Sequence, residues 1–380
     1  MYQRPYWIGR IEQGWQNRPI VWLSGVRRVG KTTLGRMIKD AVYLNCDLPS
    51  VARKMLDPEP FYDSLNRGTI VVLDEVHRLE DPSGVLKIAA DAYPHLRILA
   101  TGSSTLAATR KFRDSLTGRT HPIYLTPVAW SECRDQFEIK DLDRRLLHGG
   151  LPEPLLSPMK DPSFFSEWID SFYARDIQEL FAIRNRTGFM KLLQLLMRQS
   201  GCLVDETNLA KLSGLSRPTV KAHMEAMVIA HALYLLPPFH GGGRREITRR
   251  PKCYAFDTGF VTFAKGWDSV REDDRGLLWE HLVLDFLRAE TAPSALFYWR
   301  DKSGREIDFV VKGRARRSAA IGCKISPEHF RPDSLVAFRS LYSEGRNFVV
   351  SPGVTAPFDR RFDRLRVTFC GLDSCLIEGV

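Results

Sequence analysis

The chain has 380 residues, 44% of them hydrophobic, and a formal net charge of +10. This composition excludes a disordered chain, and the length suggests two or three domains. The basic balance favours a polyanionic partner such as nucleic acid or anionic lipid. The seven cysteines form no C-x-x-C pair, which argues against a disulfide framework and against a zinc site.

The sequence predicts neither a membrane span nor a signal peptide. No apolar run is long enough to cross a bilayer. The N-terminal segment Met1–Trp7 lacks the apolar core and the cleavage site of a signal peptide. We therefore expect a cytoplasmic protein with reduced thiols and no membrane partner.

The first third of the chain alternates apolar runs with helical patterns. This alternation predicts a parallel sheet with helices on both faces, whose ligands bind beyond the carboxyl ends of the strands. The runs that indicate buried strands are Ile20–Ser24, Val42–Asp47, Thr69–Asp74, Arg97–Thr101 and Pro122–Leu125.

A phosphate-binding motif follows the first predicted strand. The string Gly25-Val26-Arg27-Arg28-Val29-Gly30-Lys31-Thr32 matches G-x-x-x-x-G-K-[ST], and Thr33 continues into a helical pattern. Backbone N–H groups of such a loop cradle phosphate oxygens. Lys31 would reach the β- and γ-phosphates, and the Thr32 hydroxyl would hold Mg²⁺. The motif therefore predicts ATP and Mg²⁺ as cofactors, the alternative being a plain strand-to-helix turn.

Acidic and polar residues follow two further strands. Asp74 would bind Mg²⁺ through water, and Glu75 would act as general base on the attacking water. The alternative is a pair of solvated acids at a strand end. Thr101 or Ser103, after the next strand, would sense the γ-phosphate or orient the water, unless they serve only as turn residues.

An arginine finger is expected just before the last strand of the sheet. In ring ATPases an arginine at this place reaches the neighbouring subunit's site and neutralises transition-state charge. Arg119 is the candidate, with Arg110 and Arg113 as rivals. Such a finger implies adjacent copies of the chain and therefore a homo-oligomeric ring.

The pattern becomes helical after about Trp130. The stretch Ser163–Phe181 predicts one amphipathic helix, and Met190–Met197 begins another. Arg175, within the first of these, is either a lid residue that touches the nucleotide or a partner of Asp176 or Glu179 on its own helix.

Residues Asp205–Met227 predict a helix-turn-helix with its turn at Ser213–Ser216. A strand follows at Leu233–Leu236, and the basic, glycine-rich stretch Gly241–Arg250 suggests the wing of a winged helix. The alternatives are a structural helical hairpin with a loop, or a winged helix that contacts protein instead of DNA. In the last part, the sequence predicts a helix at Gly276–Arg288 and strands at Leu296–Arg300, Glu306–Lys312 and Ala319–Ile325.

Taken together, these segments resemble a prokaryotic family of AAA-type ATPases. The resemblance implies an α/β fold, with a P-loop AAA+ parallel sheet and a helical lid, then a winged helix and a restriction-endonuclease-like domain of the PD-(D/E)xK type. We place the four parts at residues 1–128, 129–186, 187–266 and 267–380. The segments that carry the resemblance are Gly25–Thr33, Thr69–Leu79, Ile98–Ser104, Leu116–Pro127, Gly149–Glu153, Tyr173–Leu180, Pro251–Gly259, Tyr298–Arg300 and Arg305–Val310.

The resemblance also implies a degenerate nuclease site. Glu280 would be the helix acid, Asp308 the strand acid and Lys324 the lysine that activates water. The second strand acid belongs two residues before the lysine, where this chain has Gly322. Two carboxylates can still hold a hydrated Mg²⁺ weakly, and strand alternation puts Glu306 on the same face as Asp308. We therefore expect DNA cleavage to be lost or feeble.

The expected function is an AAA+ ATPase that couples ATP hydrolysis to the binding, remodelling or translocation of duplex or branched DNA, as a ring. One alternative is a regulatory or signalling nucleotide switch that acts through protein contacts. Another is an ATP-dependent metal nuclease, which Gly322 disfavours.

Overall fold

The computed structural model describes residues 2–102, 114–178, 181, 183–240, 250–313 and 317–372. Among these residues, the N-terminal part folds into a five-stranded parallel sheet in the order β2-β3-β4-β1-β5. The strands are β1 (Ile20–Ser24), β2 (Ala41–Asn45), β3 (Ile70–Asp74), β4 (Arg97–Thr101) and β5 (Thr120–Tyr124). The five predicted strands are confirmed, and their ends shift by at most two residues.

Alternate side chains of these strands are buried on opposite faces of the sheet. Val21 and Leu23 of β1 belong to one apolar cluster, while Ile20 and Trp22 belong to another. Burial on both faces explains why the strands are continuous apolar runs in the sequence. The helices of this part are α1 (Pro5–Asn17), α2 (Lys31–Arg36), α3 (Pro49–Lys54), α4 (Glu59–Asp63) and α5 (Pro82–Ala92), with a 3₁₀ turn at Val76–Arg78.

The chain continues after β5 in short helices. They are α6 (Trp130–Asp135), α7 (Leu142–His148), α8 (Pro152–Leu156) and α9 (Pro162–Phe172). The single helix predicted over Ser163–Phe181 is wrong in its extent, because the α-helix ends at Phe172 and a π-helix follows at Tyr173–Gln178. The apolar spacing continues through both pieces, with Trp168, Phe172 and Ile177 buried, so periodicity alone does not reveal the change of hydrogen bonding.

The helix-turn-helix pair is confirmed as two packed helices. Asp205 caps the first helix by accepting from the backbone of Thr207 and Asn208, and Ser216 caps the second. Gly214, with φ of 74°, makes the turn between them. Residues 241–249 of the predicted wing lie outside the described residues, while its last residue, Arg250, pairs with Asp205 at 3.2 Å. The elements are α10 (Arg186–Arg198), β6 (Cys202–Leu203), α11 (Glu206–Ser213), α12 (Arg217–Ile229), β7 (Leu233–Leu236) and β8 (Lys252–Ala255), and the strands pair antiparallel in the order β6-β8-β7.

The C-terminal part, within the described residues, is a six-stranded mixed sheet in the order β13-β14-β12-β11-β10-β9. The three strands that the sequence predicts here are confirmed, although the third ends at Cys323 and not at Ile325. The elements are α13 (Thr258–Lys265), α14 (Glu272–Glu290), β9 (Leu296–Arg300), β10 (Glu306–Lys312), β11 (Ser318–Cys323), α15 (Asp333–Leu341), β12 (Asn347–Val350), β13 (Phe358–Phe362) and β14 (Leu365–Cys370).

One apolar cluster extends through every part of the fold, from Trp7 to Leu372. The domain boundaries proposed at residues 128, 186 and 266 therefore remain predictions, since packing does not stop at them. Within the described ranges, no helix has both the length and the apolar character that crossing a bilayer requires.

Asp257, which follows β8, ties that strand to the segment in front of α8. Its buried carboxylate accepts hydrogen bonds from Gly150 N at 2.6 Å and from Gly259 N at 2.8 Å. Gly149 has φ of 82°, and a Cβ there would overlap the Asp257 carboxylate. Buried Arg145 reinforces the junction, since it donates to Val128 O and to Thr258 Oγ1.

A buried ion pair fixes the N-terminus beside the phosphate loop. Arg4 donates to both carboxylate oxygens of Glu132 at 2.7 Å, and its side chain is 5% exposed. The same guanidinium donates to Val29 O at 3.4 Å and to Thr126 O at 3.3 Å. Because Val29 is part of the loop, this pair positions the site as well as stabilising the fold.

We expect Arg4→Met to lower the free energy of unfolding by about 3–5 kcal/mol, because it leaves the Glu132 carboxylate buried without its cation. Urea denaturation followed by tryptophan fluorescence measures this change. Arg10→Met, in α1, is the control: its pair with Glu290 is more exposed, at 3.4 Å, and its loss should cost less than about 1 kcal/mol. Equal losses in the two variants would contradict the structural role of Arg4.

Candidate nucleotide-binding site

The phosphate loop joins β1 to α2 and depends on two glycines. Gly25 has φ of 149°, and a Cβ there would lie 2.7 Å from Leu125 O. Gly30 has φ of 104° and forms the N-cap of α2. Arg28 also has a positive φ, of 62°. The loop backbone is therefore curled in a way that side chains at the two glycine positions would not permit.

Lys31 folds back over the loop that it follows. Its ammonium donates to Gly25 O at 2.8 Å and to Val26 O at 3.0 Å. Burial lowers the pKa of Lys31, and the nearby carboxylates of Glu75 and Asp176 oppose that shift. Neutral carbonyl oxygens are weaker acceptors than anionic phosphate oxygens, so a phosphate at the loop can replace them.

Asp74 ends β3 and is held by two hydroxyl groups. Its carboxylate accepts from Tyr43 Oη at 2.6 Å and from Thr101 Oγ1 at 2.5 Å. The Thr101 oxygen in turn accepts from the backbone N–H of Glu75 at 3.0 Å. Thr101 is fully buried and thereby fixes both acids of the strand end. Its predicted contact with the γ-phosphate or the water remains a prediction.

Glu75 begins the 3₁₀ turn after β3 with φ of 58°, an uncommon conformation that functional residues often adopt. Burial raises the pKa of Glu75, and the Lys31 ammonium opposes that shift. His77 Nδ1 lies 3.3 Å from Glu75 Oε2. Burial lowers the pKa of His77 to about 4, so this imidazole is neutral near neutral pH.

A pocket of about 380 Å³ is lined by the phosphate loop, Glu75 and Arg175, whereas Asp74 and Thr101 are buried and do not line it. On one side lie Gly25–Arg28 and Gly30–Thr33 of the loop, and on the other lie Glu75 and His77. Val29 is buried behind the loop. The helical region closes a third side with Pro152, Glu153, Phe172, Arg175 and Asp176.

Two ion pairs join the phosphate loop to the helical region. Arg27 Nε lies 3.3 Å from Asp176 Oδ2 in the π-helix, and Arg28 Nη1 lies 3.4 Å from Glu153 Oε2 in α8. Trp168 of α9 adds a hydrogen bond to Arg27 O at 3.0 Å. Arg175 lines the pocket, and its contact with a nucleotide remains a prediction. Glu179, its other predicted partner, lies outside the described residues.

Arg119 lies away from the pocket of its own chain. It donates to both carboxylate oxygens of Asp91 in α5, at 2.6 and 2.9 Å, and to Ser115 O at 3.1 Å. Its role as a finger for a neighbouring copy remains a prediction. The rivals Arg110 and Arg113, and the possible sensor Ser103, lie outside the described residues.

The predicted nuclease-like residues do converge in the C-terminal part. Asp308 of β10 accepts from Cys323 N at 2.7 Å and lies 4.0 Å from Lys324 Nζ. Glu280 of α14 contacts Lys252 Nζ at 3.1 Å. Among the described residues, no three acidic, histidine or cysteine side chains are arranged to hold a metal ion.

Among the residues of these sites that sequence reasoning missed are Tyr43, His77 and Lys252. His77 could have been found, because it follows Glu75 by two positions. Tyr43 belongs to an apolar strand and shows no signal of its own. Lys252 precedes Glu280 by 28 positions, and no local spacing joins the two.

Three family descriptions match successive parts of the chain. Residues 17–134 match an AAA domain, residues 139–271 a domain of unknown function, DUF8612, and residues 275–368 another domain of unknown function, DUF4143. The first match covers the parallel sheet and the phosphate loop. It supports a P-loop AAA-type ATPase fold for this part of the chain.

Relatives that span most of the chain are also similar to it. An uncharacterised protein of Mycobacterium bovis and one of Mycobacterium tuberculosis are each 27% identical over 313 residues, which is 80% of this chain and 70% of theirs. A Walker-type ATPase of Pyrococcus abyssi is 17% identical over 70% of this chain and 96% of its own, with a TM-score of 0.44. A variant of RuvB from Thermotoga maritima is 16% identical over 62% and 90%, with a TM-score of 0.32. Similarity at these TM-scores assigns no function.

We expect ATP with Mg²⁺ to raise the Tm of the wild-type chain, because a ligand that binds only the folded state stabilises it. Lys31→Ala should lose this shift, since the ammonium over the loop is removed. Lys39→Ala, an exposed lysine just after α2, should keep it. Thermal unfolding with and without nucleotide provides the measurement, and an unchanged shift in Lys31→Ala would place the nucleotide elsewhere.

Proposed function

We propose that the chain is a Mg²⁺-dependent ATPase whose nucleotide cycle acts on DNA. The observation that carries the ATPase assignment is the pocket in which Lys31, Thr32 and Glu75 face one another across the carboxyl edge of a parallel sheet. Ligands of such sheets bind at this edge. The AAA-domain match over the same residues supports the assignment.

Each residue of the pocket has a chemical task in this proposal. The loop backbone and Lys31 would bind the phosphates, and Mg²⁺ would be held by the Thr32 hydroxyl and, through water, by the Asp74 carboxylate. The ion, when bound, neutralises charge on the β- and γ-phosphate oxygens. Tyr43 and Thr101 fix the orientation of Asp74 through their hydroxyl groups.

Glu75 serves as general base for the attacking water. Because the pKa of Glu75 is raised by burial, the carboxylate accepts a proton more readily than an exposed glutamate does. His77, which stays neutral, orients the carboxylate from 3.3 Å. The backbone N–H of Glu75 is held by Thr101, so the base and the Mg²⁺ ligand are positioned by one hydroxyl.

Glu75→Gln should keep the nucleotide-induced Tm shift and lower the rate of ATP turnover by about 10²–10⁴, because the amide cannot accept the proton. Thr101→Val should lower turnover by about tenfold to a hundredfold, the worth of a hydrogen bond to a charged group. Thr101→Ser should restore it, since serine keeps the hydroxyl. Steady-state phosphate release measures all three variants. Full turnover in Glu75→Gln would remove Glu75 from the mechanism.

The pH dependence of turnover follows from the direction of the Glu75 pKa shift. A carboxyl with a raised pKa takes up its proton at a higher pH as the solution is acidified. The acid limb of kcat/KM should therefore lie above the ordinary glutamate value of about 4.3. A pH-rate profile at saturating Mg²⁺ tests this, with Glu153→Gln on the pocket rim as a control that leaves the limb in place. An acid limb at or below the ordinary value would contradict the assignment.

The link from the pocket to DNA runs through the helical region. Arg27 pairs with Asp176 of the π-helix, and a phosphate at the loop competes with that carboxylate for the guanidinium. The α10–α12 helices follow directly in the chain, and α12 exposes Arg217 and Lys221. Together with the net charge of +10, this helix-turn-helix supports DNA as the partner.

Ring assembly is the remaining part of the proposal. Arg119 is exposed in part and pairs with Asp91, so a neighbour's γ-phosphate has to displace that carboxylate. A closed ring repeats the same contact at every interface and supplies one finger to each pocket.

DNA should stimulate ATP turnover, and DNA binding should weaken steeply with salt because phosphate contacts release counterions. Arg217→Ala with Lys221→Ala should reduce the slope of log affinity against log salt by about one for each side chain that touches a phosphate. Lys87→Ala, an exposed lysine of α5, is the matched control and should change nothing. Fluorescence anisotropy with duplex and junction DNA gives the slopes. Flat salt dependence with unstimulated turnover would favour a switch that acts through a protein partner.

A further inference from the structure

Lys252 of β8 lies buried among carboxylates of the C-terminal part. Its ammonium is 3.1 Å from Glu280 Oε1 in α14 and 2.5 Å from Glu306 Oε1 in β10, and its side chain is 5% exposed. Tyr254, two positions along the same strand, donates its hydroxyl to Glu280 as well. One strand therefore supplies both a cation and a hydroxyl to the acids of another part of the fold.

These acids occupy the positions where the nuclease resemblance expects a divalent metal. The residues present do not fit such an ion. Glu280 is already engaged by Lys252 and Tyr254. Asp308 accepts from Cys323 N, which directs one carboxylate oxygen to the backbone of β11.

Because position 322 is glycine, the second strand acid is absent, although the site has room for one. A Cβ on Gly322 would meet Phe348 O at 3.9 Å, which is an ordinary contact distance. A carboxylate at this position is therefore not excluded by the backbone around it. The cluster lacks that ligand and has an ammonium instead.

Three carboxylates act on the single ammonium of Lys252, and one of them, Glu306, also pairs with Arg300 at 3.3 Å. Burial alone would lower the pKa of Lys252, but Glu280, Glu306 and Asp308 outweigh it and raise that pKa well above its usual value. The ring of Tyr298, 5.7 Å from the ammonium, adds a cation–π contact.

We propose that Lys252 is a built-in cation that replaces the divalent metal of this fold and fastens β8 to α14 and β10. In this arrangement the C-terminal part is stable without metal and performs no metal-dependent hydrolysis. The ammonium joins the strand next to the helix-turn-helix to the C-terminal sheet. The proposal is independent of the ATPase assignment, because it concerns none of the residues around the phosphate loop.

The first test uses the wild-type, full-length chain without nucleotide. Its Tm should be the same in Mn²⁺ and in EDTA, and Mn²⁺ electron paramagnetic resonance should show no stoichiometric binding. A stoichiometric Mn²⁺ site that Glu280→Gln abolishes would overturn the proposal.

The second test removes the ammonium from the carboxylates with Lys252→Met. This variant should lose roughly 5–10 °C of Tm in EDTA, because the mostly buried Glu280 carboxylate loses its cation and Glu306 keeps only the partly exposed Arg300, at 3.3 Å. Mn²⁺ should restore part of the loss by binding between them. Lys265→Met, which breaks the partly exposed pair with Asp274 at 3.1 Å, is the matched control and should show no response to Mn²⁺. A Lys252→Met chain that keeps the wild-type Tm in EDTA would overturn the proposal.

A triple variant keeps the test decisive if Lys252→Met does not fold. Lys252→Met combined with Glu280→Gln and Glu306→Gln removes the cation together with the charges that it balances. This triple variant should fold, with a Tm closer to wild type than that of Lys252→Met. Its Tm should not change when Mn²⁺ is added. Failure of the triple variant to fold would show that charge balance is not the role of Lys252.

Discussion

The phosphate loop is held in place by its carbonyl oxygens. Lys31 donates hydrogen bonds to the carbonyl oxygens of Gly25 and Val26. Trp168 donates to the carbonyl oxygen of Arg27, and Arg4 donates to that of Val29. Lys31 directly follows the loop, but Arg4 near the N-terminus and Trp168 of α9 are distant in the chain, so two distant parts must fold before the loop has its shape. Because Trp168 and Arg4 hold carbonyl oxygens of the loop, its N–H groups remain free to face a ligand even if Lys31 leaves Gly25 O and Val26 O for a phosphate.

The acids opposite the loop are also positioned by very few groups. Thr101 donates to Asp74 and accepts from the Glu75 backbone, so one buried hydroxyl sets the relative position of two neighbouring acids. The helical region contacts the phosphate loop through the ion pairs of Arg27 and Arg28. These pairs are partly exposed and therefore weaker than the buried hydrogen bonds of Thr101. The pocket thus combines a rigid base with a side that can exchange partners.

Much of the fold could be predicted from the sequence because its signals are local. The strands of a parallel sheet are apolar runs, and the phosphate loop is contiguous, so both were visible without a structure. The π-helix after Phe172 was not, since its apolar spacing continues that of α9. The role of Lys252 was not visible either, because its partners Glu280 and Glu306 lie 28 and 54 positions further along the chain. Pairings across such separations are set by how the parts pack, which a single sequence does not reveal.

Strand β8 connects the C-terminal sheet to the rim of the pocket. Lys252 and Tyr254 of this strand contact the acids Glu306 and Glu280 of the C-terminal part. Two residues beyond the end of the strand, Asp257 accepts a hydrogen bond from the backbone N–H of Gly150. Gly150 is followed by Pro152 and Glu153, which line the nucleotide pocket. The backbone from Lys252 to Asp257 therefore connects the C-terminal sheet to the segment that lines the rim of the pocket.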